Sequence, residues 1–183
     1  MSLKLFLVVI GCKPAGRHTE QHDVFFGVGA SLKELLPAMH EFWPGAKLHI
    51  DSWREVNVVN GHRVKVVSKE ANIAGGQKLF FINLGGYKPG DLEEYHYKYL
   101  AVAEEKGAAI QASRKTAFYK HTGFKGATSH VDDKYGIDVD DVYEIDDVLP
   151  AGLKNEIAIL VEKTTDTLVE DELHIGYVKL SNL

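Results

Sequence analysis

The strongest constraint on this chain is a string that it carries twice. Lys4-Leu5-Phe6-Leu7-Val8-Val9-Ile10-Gly11 returns 74 residues on, from position 4 to position 78, as Lys78-Leu79-Phe80-Phe81-Ile82-Asn83-Leu84-Gly85. Each copy runs into a Lys-Pro loop, Lys13-Pro14 or Lys88-Pro89, and then an acid-x-His triplet, Glu20-Gln21-His22 or Glu94-Tyr95-His96. A short apolar run rich in β-branched residues and closed by glycine reads as a buried strand. The recurrence also settles a local ambiguity. Lys4, the apolar run and Val9-Ile10-Gly11-Cys12 imitate a short lipoprotein signal. A leader has no reason to recur mid-chain, so both runs are expected to be strands.

The pattern continues along the chain. His22 to Gly29 holds two glycines two apart, each costing a helix about 1 kcal/mol, and is expected to be a strand. Ser31 and Glu34 form a capping-box pattern ahead of Leu32, Leu35, Leu36, Met39, Phe42 and Trp43, an apolar helical face that Pro37 should break. Lys47 to Trp53 alternates as a half-covered strand. Asn60-Gly61 between Val56–Val59 and His62–Val67 is a hairpin signal. In the second half, Tyr95 to Ala103 is expected to be a strand and Ala108 to Tyr119 a helix, with a loop over His121 to Ser129. His130-Val131-Asp132 aligns with His49-Ile50-Asp51, an offset of 81 from 49 to 130, which sets Val139 on Val58, Ile145 on Val64 and Asp140-Asp141 at the hairpin turn. Glu156–Val161 and Leu173–Leu180 are further strands that close the sheet.

The expected architecture is α+β: a tandem duplication of a strand-loop-strand-helix-strand-strand unit about a pseudo-two-fold axis, with mixed or antiparallel sheets. The boundaries are 3–71 for repeat one, 77–150 for repeat two and 151–183 for the C-terminal strands, all within one compact domain of 183 residues. A chain of this length buries enough surface to fold without disulfides or metal. The net charge of −5 and the lack of any Lys/Arg cluster argue against a nucleic-acid footprint. No apolar run approaches the ~20 residues of a membrane helix. The single cysteine, Cys12, suits a reducing cytoplasm and is expected to be a small buried residue. The glycine-containing Lys-Pro loops lack the Walker and dinucleotide endings, and the acidic stretch Asp138–Asp147 lacks the glycine and final glutamate of an EF-hand.

The ordered string from Gly11 to Phe26, with His49 to Val56, resembles a bacterial family catalogued as domain of unknown function 1543. The resemblance covers mainly the first half. It implies a compact bacterial cytoplasmic protein and carries no activity, cofactor or substrate with it.

Two groups of residues could carry chemistry. Arg17, His18, Asp23, Trp53 and Arg54 have no chemical equivalent in the second half, where Asp91, Leu92, Tyr97, Lys134 and Tyr135 stand. With His22 they are the expected face of a small-molecule or protein binding domain, one that could pair as a homodimer. Arginines at positions 17 and 54 suit bidentate capture of a carboxylate or phosphate. The alternative is a metal-dependent enzyme. Residues two apart on a strand share a face, so Glu20 with His22 and His49 with Asp51 would converge if their strands are neighbours. Two imidazoles with carboxylates and open positions make a divalent-metal site. The same residue types also pair by hydrogen bonds to satisfy a fold, and the sequence leaves both the ligand and the presence of catalysis open.

Overall fold

The structure, a computed structural model, describes residues 2–71, 76–87, 90, 92–115 and 137–183. The chain divides into two compact units, Met1–Ile73 with Val148–Leu183, and Ala74–Asp147. Among the described residues no helix is long and apolar enough to cross a membrane.

The first unit is built on β1 (Lys4–Cys12), flanked by β2 (Gln21–Gly29) and β3 (His49–Glu55), with β10 (His174–Lys179) outside β3. Every pairing in this sheet is antiparallel. One face of β1 presents Phe6, Val8, Ile10 and Cys12 to a core completed by Phe25, Leu32, Leu35, Met39, Leu48 and Ile50. Complete burial of apolar side chains such as Val8, Ile10 and Met39 contributes about 1.5–3 kcal/mol each. That apolar face fixes the register, since a one-residue slip would turn it to solvent. The helical segment is split as Pro37 requires: a 3-10 turn at Leu32–Leu35 gives way to α1 (Leu36–Phe42), with the proline in the first α-turn, where its missing N–H costs nothing. The expected capping box does not form. Ser31 makes no side-chain cap, while the Glu34 carboxylate accepts the Ala30 N–H at 2.8 Å.

A second sheet of this unit joins β4 (Val58–Val59), β5 (His62–Ser68) and β9 (Ile157–Lys163). The turn between β4 and β5 is the expected one, with Asn60 at φ 49° and Gly61 at φ 72°, both in the left-handed region that a type I′ turn needs. The two C-terminal strands thus extend first-unit sheets, β9 on β5 and β10 on β3.

The approach to β10 is tied down by Asp171. Its carboxylate, with the side chain only 3% exposed, accepts the Asn57 N–H at 3.0 and 3.1 Å and the Val58 N–H at 3.2 Å, and lies 3.9 Å from the Arg54 guanidinium. Replacing it by alanine strands two amide donors and a half-buried cation. Asp171→Ala is expected to cost about 1–3 kcal/mol, read as a lower urea midpoint at unchanged m-value.

In the second unit β6 (Lys78–Tyr87) lies between β7 (Glu94–Ala103) and β8 (Ile137–Glu144), and α2 (Lys106–Ser113) covers Phe80, Ile82, Leu84 and Ala101 through Ala109. Residues 116–119 of the expected helix, the loop 121–129 and the triplet 130–132 lie outside the described residues. The alignment built on that triplet is corrected by the pairing. Ile50 faces Ile10 across β3 and β1; Val139 faces Leu84 across β8 and β6. The two strands therefore correspond at an offset of 89, from 50 to 139, and not 81. Asp140 and Asp141 lie in a strand rather than at a turn, and Asp138–Asp147 is β8 leading into a helical turn at Ile145–Val148 rather than a solvent hairpin. No counterpart of the β4–β5 hairpin follows β8. The physical reason is that Val139 and Val142 pack beside the second core, and a buried apolar row outweighs a matching polar triplet in setting register.

Candidate functional site

Directly opposed residues of antiparallel strands share a face. Gly11 opposes His22 on one side and His49 on the other, so both imidazoles stand over this glycine, on the face away from Phe6, Val8 and Ile10. Asp51 arrives there by a bulge. Val9 pairs with Ser52 and Ile10 with Ile50, which leaves Asp51 opposite nothing on β1. A bulge re-aims the extra side chain, and here the carboxylate comes between the rings, with Oδ2 3.2 Å from His22 Nε2 and Oδ1 3.3 Å from His49 Nε2. Glu20, the last residue of the β1–β2 loop, closes the group at 3.8 Å from His49 Nε2 and 4.0 Å from His22 Nε2.

Gly11 is the floor that makes this convergence possible. A Cβ built on it would lie 2.6 Å from His49 Nε2, 2.8 Å from His22 Cδ2 and 2.9 Å from Asp51 Oδ2. The rings meet edge to face, with centroids 6.3 Å apart. His49 is the buried member at 6% side-chain exposure, with the Tyr177 ring of β10 tilted against it at 4.6 Å; His22, Asp51 and Glu20 are one-third to one-half exposed. The contacts are short, yet their angles leave His49 Nε2 and Asp51 Oδ2 buried with no hydrogen-bond partner. Such groups are rare because each forfeits about 1–3 kcal/mol of solvation. A cation between them would satisfy both. Donor atoms of Glu20, His22 and His49 lie within 4.8 Å of one another. Ligands of one ion at bonds of about 2.0–2.2 Å stand at most about 4.4 Å apart, so a closure of a few tenths of an ångström suffices.

The other sequence-derived residues are dispersed. Arg17 and His18 are exposed on the β1–β2 loop. Arg54 opposes Leu7 and so shares the face of His22, four positions along β1, and is held near Asp171. Asp23 opposes Ile10 and Trp53 opposes Val8, which puts both on the other face. There Trp53 lies against the core, stacked on His174 at 3.8 Å and 10° and tilted against Phe6 at 6.1 Å. The Asp23 carboxylate accepts the Val24 N–H at 2.7 Å. Cys12 faces the core; burial, and then the Glu20 charge, push its thiol pKa up, the opposite of what a reactive thiol needs.

The second unit holds a related but different cluster. Gly85 opposes His96, and Asp140 is the bulged residue, since Asn83 pairs with Asp141 and Leu84 with Val139. A Cβ on Gly85 would meet Asp140 Oδ2 at 2.5 Å and Glu94 Oε1 at 2.8 Å. In the register Asp138 opposes Gly85 as His49 opposes Gly11, so among the described residues one imidazole opposes this glycine where the first unit has two. The group is internally bonded: His96 Nδ1 lies 3.1 Å from Asp140 Oδ2, Asn83 Nδ2 donates to the same oxygen at 3.4 Å, and the Tyr87 hydroxyl donates to Glu94 Oε2 at 3.3 Å. The Glu94 charge, then burial, raise the Tyr87 pKa, keeping it a donor. At the offset of 74, Asn83 and Tyr87 replace Val9 and Lys13, which lack that hydrogen-bonding pattern.

Sequence reading missed three participants: Gly11 as floor, Tyr177 against His49, and Asp140 as the counterpart of Asp51. A glycine at the same place in both apolar runs was the available signal for the first.

Residues 17–66 match the family model described as Domain of Unknown Function (DUF1543), a stretch that contains Glu20, His22, His49 and Asp51. Among solved structures, the chain is similar to the crystal structure of a protein Il1583 from Idiomarina loihiensis, at 26% identity, 97% coverage of each chain and a TM-score of 0.61. No curated protein matches it.

Proposed function

We propose that this chain, whose residues 17–66 match the DUF1543 family model, binds a divalent transition-metal ion on its first unit through Glu20, His22, His49 and Asp51. The observation that carries the reading is the pair of buried, unpartnered atoms, His49 Nε2 and Asp51 Oδ2, turned toward His22 and Glu20 over a glycine floor. Two imidazoles and two carboxylates suit zinc, iron, manganese, cobalt or nickel, whereas an all-oxygen set would suit calcium or magnesium. Glu20 and His22 are about half exposed, so solvent or a substrate has access to the metal, as a Lewis-acid or water-activating centre requires.

Elemental analysis of protein purified without an affinity tag tests this directly. The expected result is close to one equivalent of a transition metal per chain, or uptake of one equivalent on reconstitution. Less than a tenth of an equivalent, together with no thermal shift on adding any of the five ions, sinks the reading.

The wider notion of a binding face at Arg17, His18, His22, Asp23, Trp53 and Arg54 enters this proposal in narrower form. Arg17 and His18 neighbour the metal group on the loop that carries Glu20, and His22 belongs to both sets. We also take the two units as tandem copies of one ancestral unit; like registers, like bulges and a glycine at the same step support that origin. We further take the protein as cytoplasmic, which its single buried cysteine supports, and as a homodimer, which the exposed Ile175 and Tyr177 on the edge strand β10 support.

A further inference from the structure

We infer that the metal group works on a dianionic oxyanion, a phosphate monoester, held by Arg17 and Lys13 of the β1–β2 loop with His18 beside them; this rests on the metal reading above. Three observations lead there. The first is position. Cys12–Gln21 is the last pair of the β1–β2 ladder and Gly11–His22 the one before it, so the loop leaves the sheet one step beyond the two imidazoles. A turn shapes it. Arg17 N–H donates to the Pro14 carbonyl at 3.2 Å, and Gly16 at φ 77° supplies the left-handed residue of that turn. Arg17 is three residues from Glu20, hence within about 10–11 Å of it between Cα atoms at full extension, and nearer in a folded loop.

The second observation is charge. Two carboxylates neutralise a divalent ion, so the metal group itself offers little net attraction to a dianion. The loop from Lys13 to Thr19 carries Lys13, Arg17 and His18 and no acid. All three side chains belong to exposed residues, and among the described residues none of them forms an ion pair. In a chain of net charge −5 this is a local concentration of uncompensated positive charge beside a metal group. Two cations balance a phosphate monoester dianion rather than a single carboxylate, and the planar fork of arginine matches phosphate oxygens in pairs.

The third is segregation. Among the described residues the second unit sets one imidazole opposite its glycine where the first sets two, and its sequence carries Asp91 and Leu92 in place of Arg17 and His18. The second loop keeps the lysine, as Lys88, but has no counterpart of Arg17 or His18, so this arginine and histidine occur in the unit whose described residues hold the two-histidine group. A loop cation serving only solubility has no reason to track the metal ligands.

Cobalt(II)-loaded protein gives a readout independent of activity, because its visible spectrum reports the ligands around the ion. Inorganic phosphate titrated into cobalt-loaded wild type should perturb the spectrum and saturate, and acetate should bind at least ten-fold more weakly. Lys13→Ala/Arg17→Ala should take up cobalt as wild type does and lose phosphate affinity at least ten-fold, with its melting temperature unchanged; Arg17→Lys should recover part of the loss. Equal phosphate affinity in wild type and the double variant overturns the inference while leaving the metal reading intact. So does acetate binding as tightly as phosphate, or no spectral response to phosphate. Failure of cobalt to bind wild type overturns both, and is distinguished because no cobalt spectrum develops at all.

Discussion

A divalent transition metal at 100 times its dissociation constant is expected to raise the melting temperature of this protein by roughly 5–10 °C, and His22→Ala or His49→Ala to abolish the rise. The size follows from linkage. A ligand that binds only the folded state at that excess stabilises it by about 2.7 kcal/mol. For a chain of about 150–250 residues each kcal/mol moves the midpoint by roughly 2–4 °C. The two variants separate binding from folding. His22 is 42% exposed, so its loss should leave the metal-free melting temperature within about 2 °C of wild type, as surface substitutions do. His49 is 6% exposed and packed against Tyr177, so its loss should also lower the metal-free midpoint by removing a buried ring. A metal-dependent rise that survives both substitutions would falsify the assignment of these imidazoles as ligands. Trp53→Ala is the contrasting case. It lies on the opposite face, stacked on His174, so it should lower the metal-free midpoint and keep the increment.

Much of this arrangement could be read from residues alone, and the reasons it stopped where it did are specific. The doubled apolar string marks β1 and β6 because a buried strand needs a continuous apolar run, and Asn60-Gly61 marks its hairpin because few other pairs accept two positive φ angles. Alternation placed Glu20 with His22 and His49 with Asp51, and neighbouring strands bring those side chains within 4.0 Å contacts. Register across an unequal loop was not readable from a triplet. His130-Val131-Asp132 matched three residues, while Val139 opposite Leu84 reflects the packing of a core, which no triplet encodes. Bulges are equally silent in sequence. One extra residue at Asp51, and another at Asp140, cannot be told from ordinary alternation until the partner strand is seen. Tyr177 reaches His49 from a strand more than a hundred residues away, out of a register shift of its own between Ile175 and Val178. Non-local contacts of this kind lie beyond local propensity.

Gly11→Ala, the smallest change available near the site, is expected to weaken metal binding by at least a hundred-fold. The added methyl would stand 2.6 Å from His49 Nε2, 2.8 Å from His22 Cδ2 and 2.9 Å from Asp51 Oδ2, all shorter than real contacts of a Cβ. Something must move, and the three neighbours differ in how freely they can. His22 has solvent to swing into. His49 is enclosed beneath Tyr177 and cannot retreat without pushing that ring aside. Asp51 is held at a bulge whose flanking residues, Ile50 and Ser52, pair on both sides, to β1 and to β10. The forced displacement falls on the two least mobile ligands and pulls their donor atoms out of a common sphere. Overpacking of this kind costs about 1–3 kcal/mol, which a chain of this size tolerates, so the variant should fold with a lowered melting temperature and no metal-dependent rise. Gly152→Ala supplies the control, because a Cβ there meets nothing within 4 Å and its φ is not positive; its midpoint and its metal response should both match wild type. A Gly11→Ala protein that binds metal like the parent would show that the ligands do not meet over this glycine, and the site would have to be sought elsewhere on the sheet.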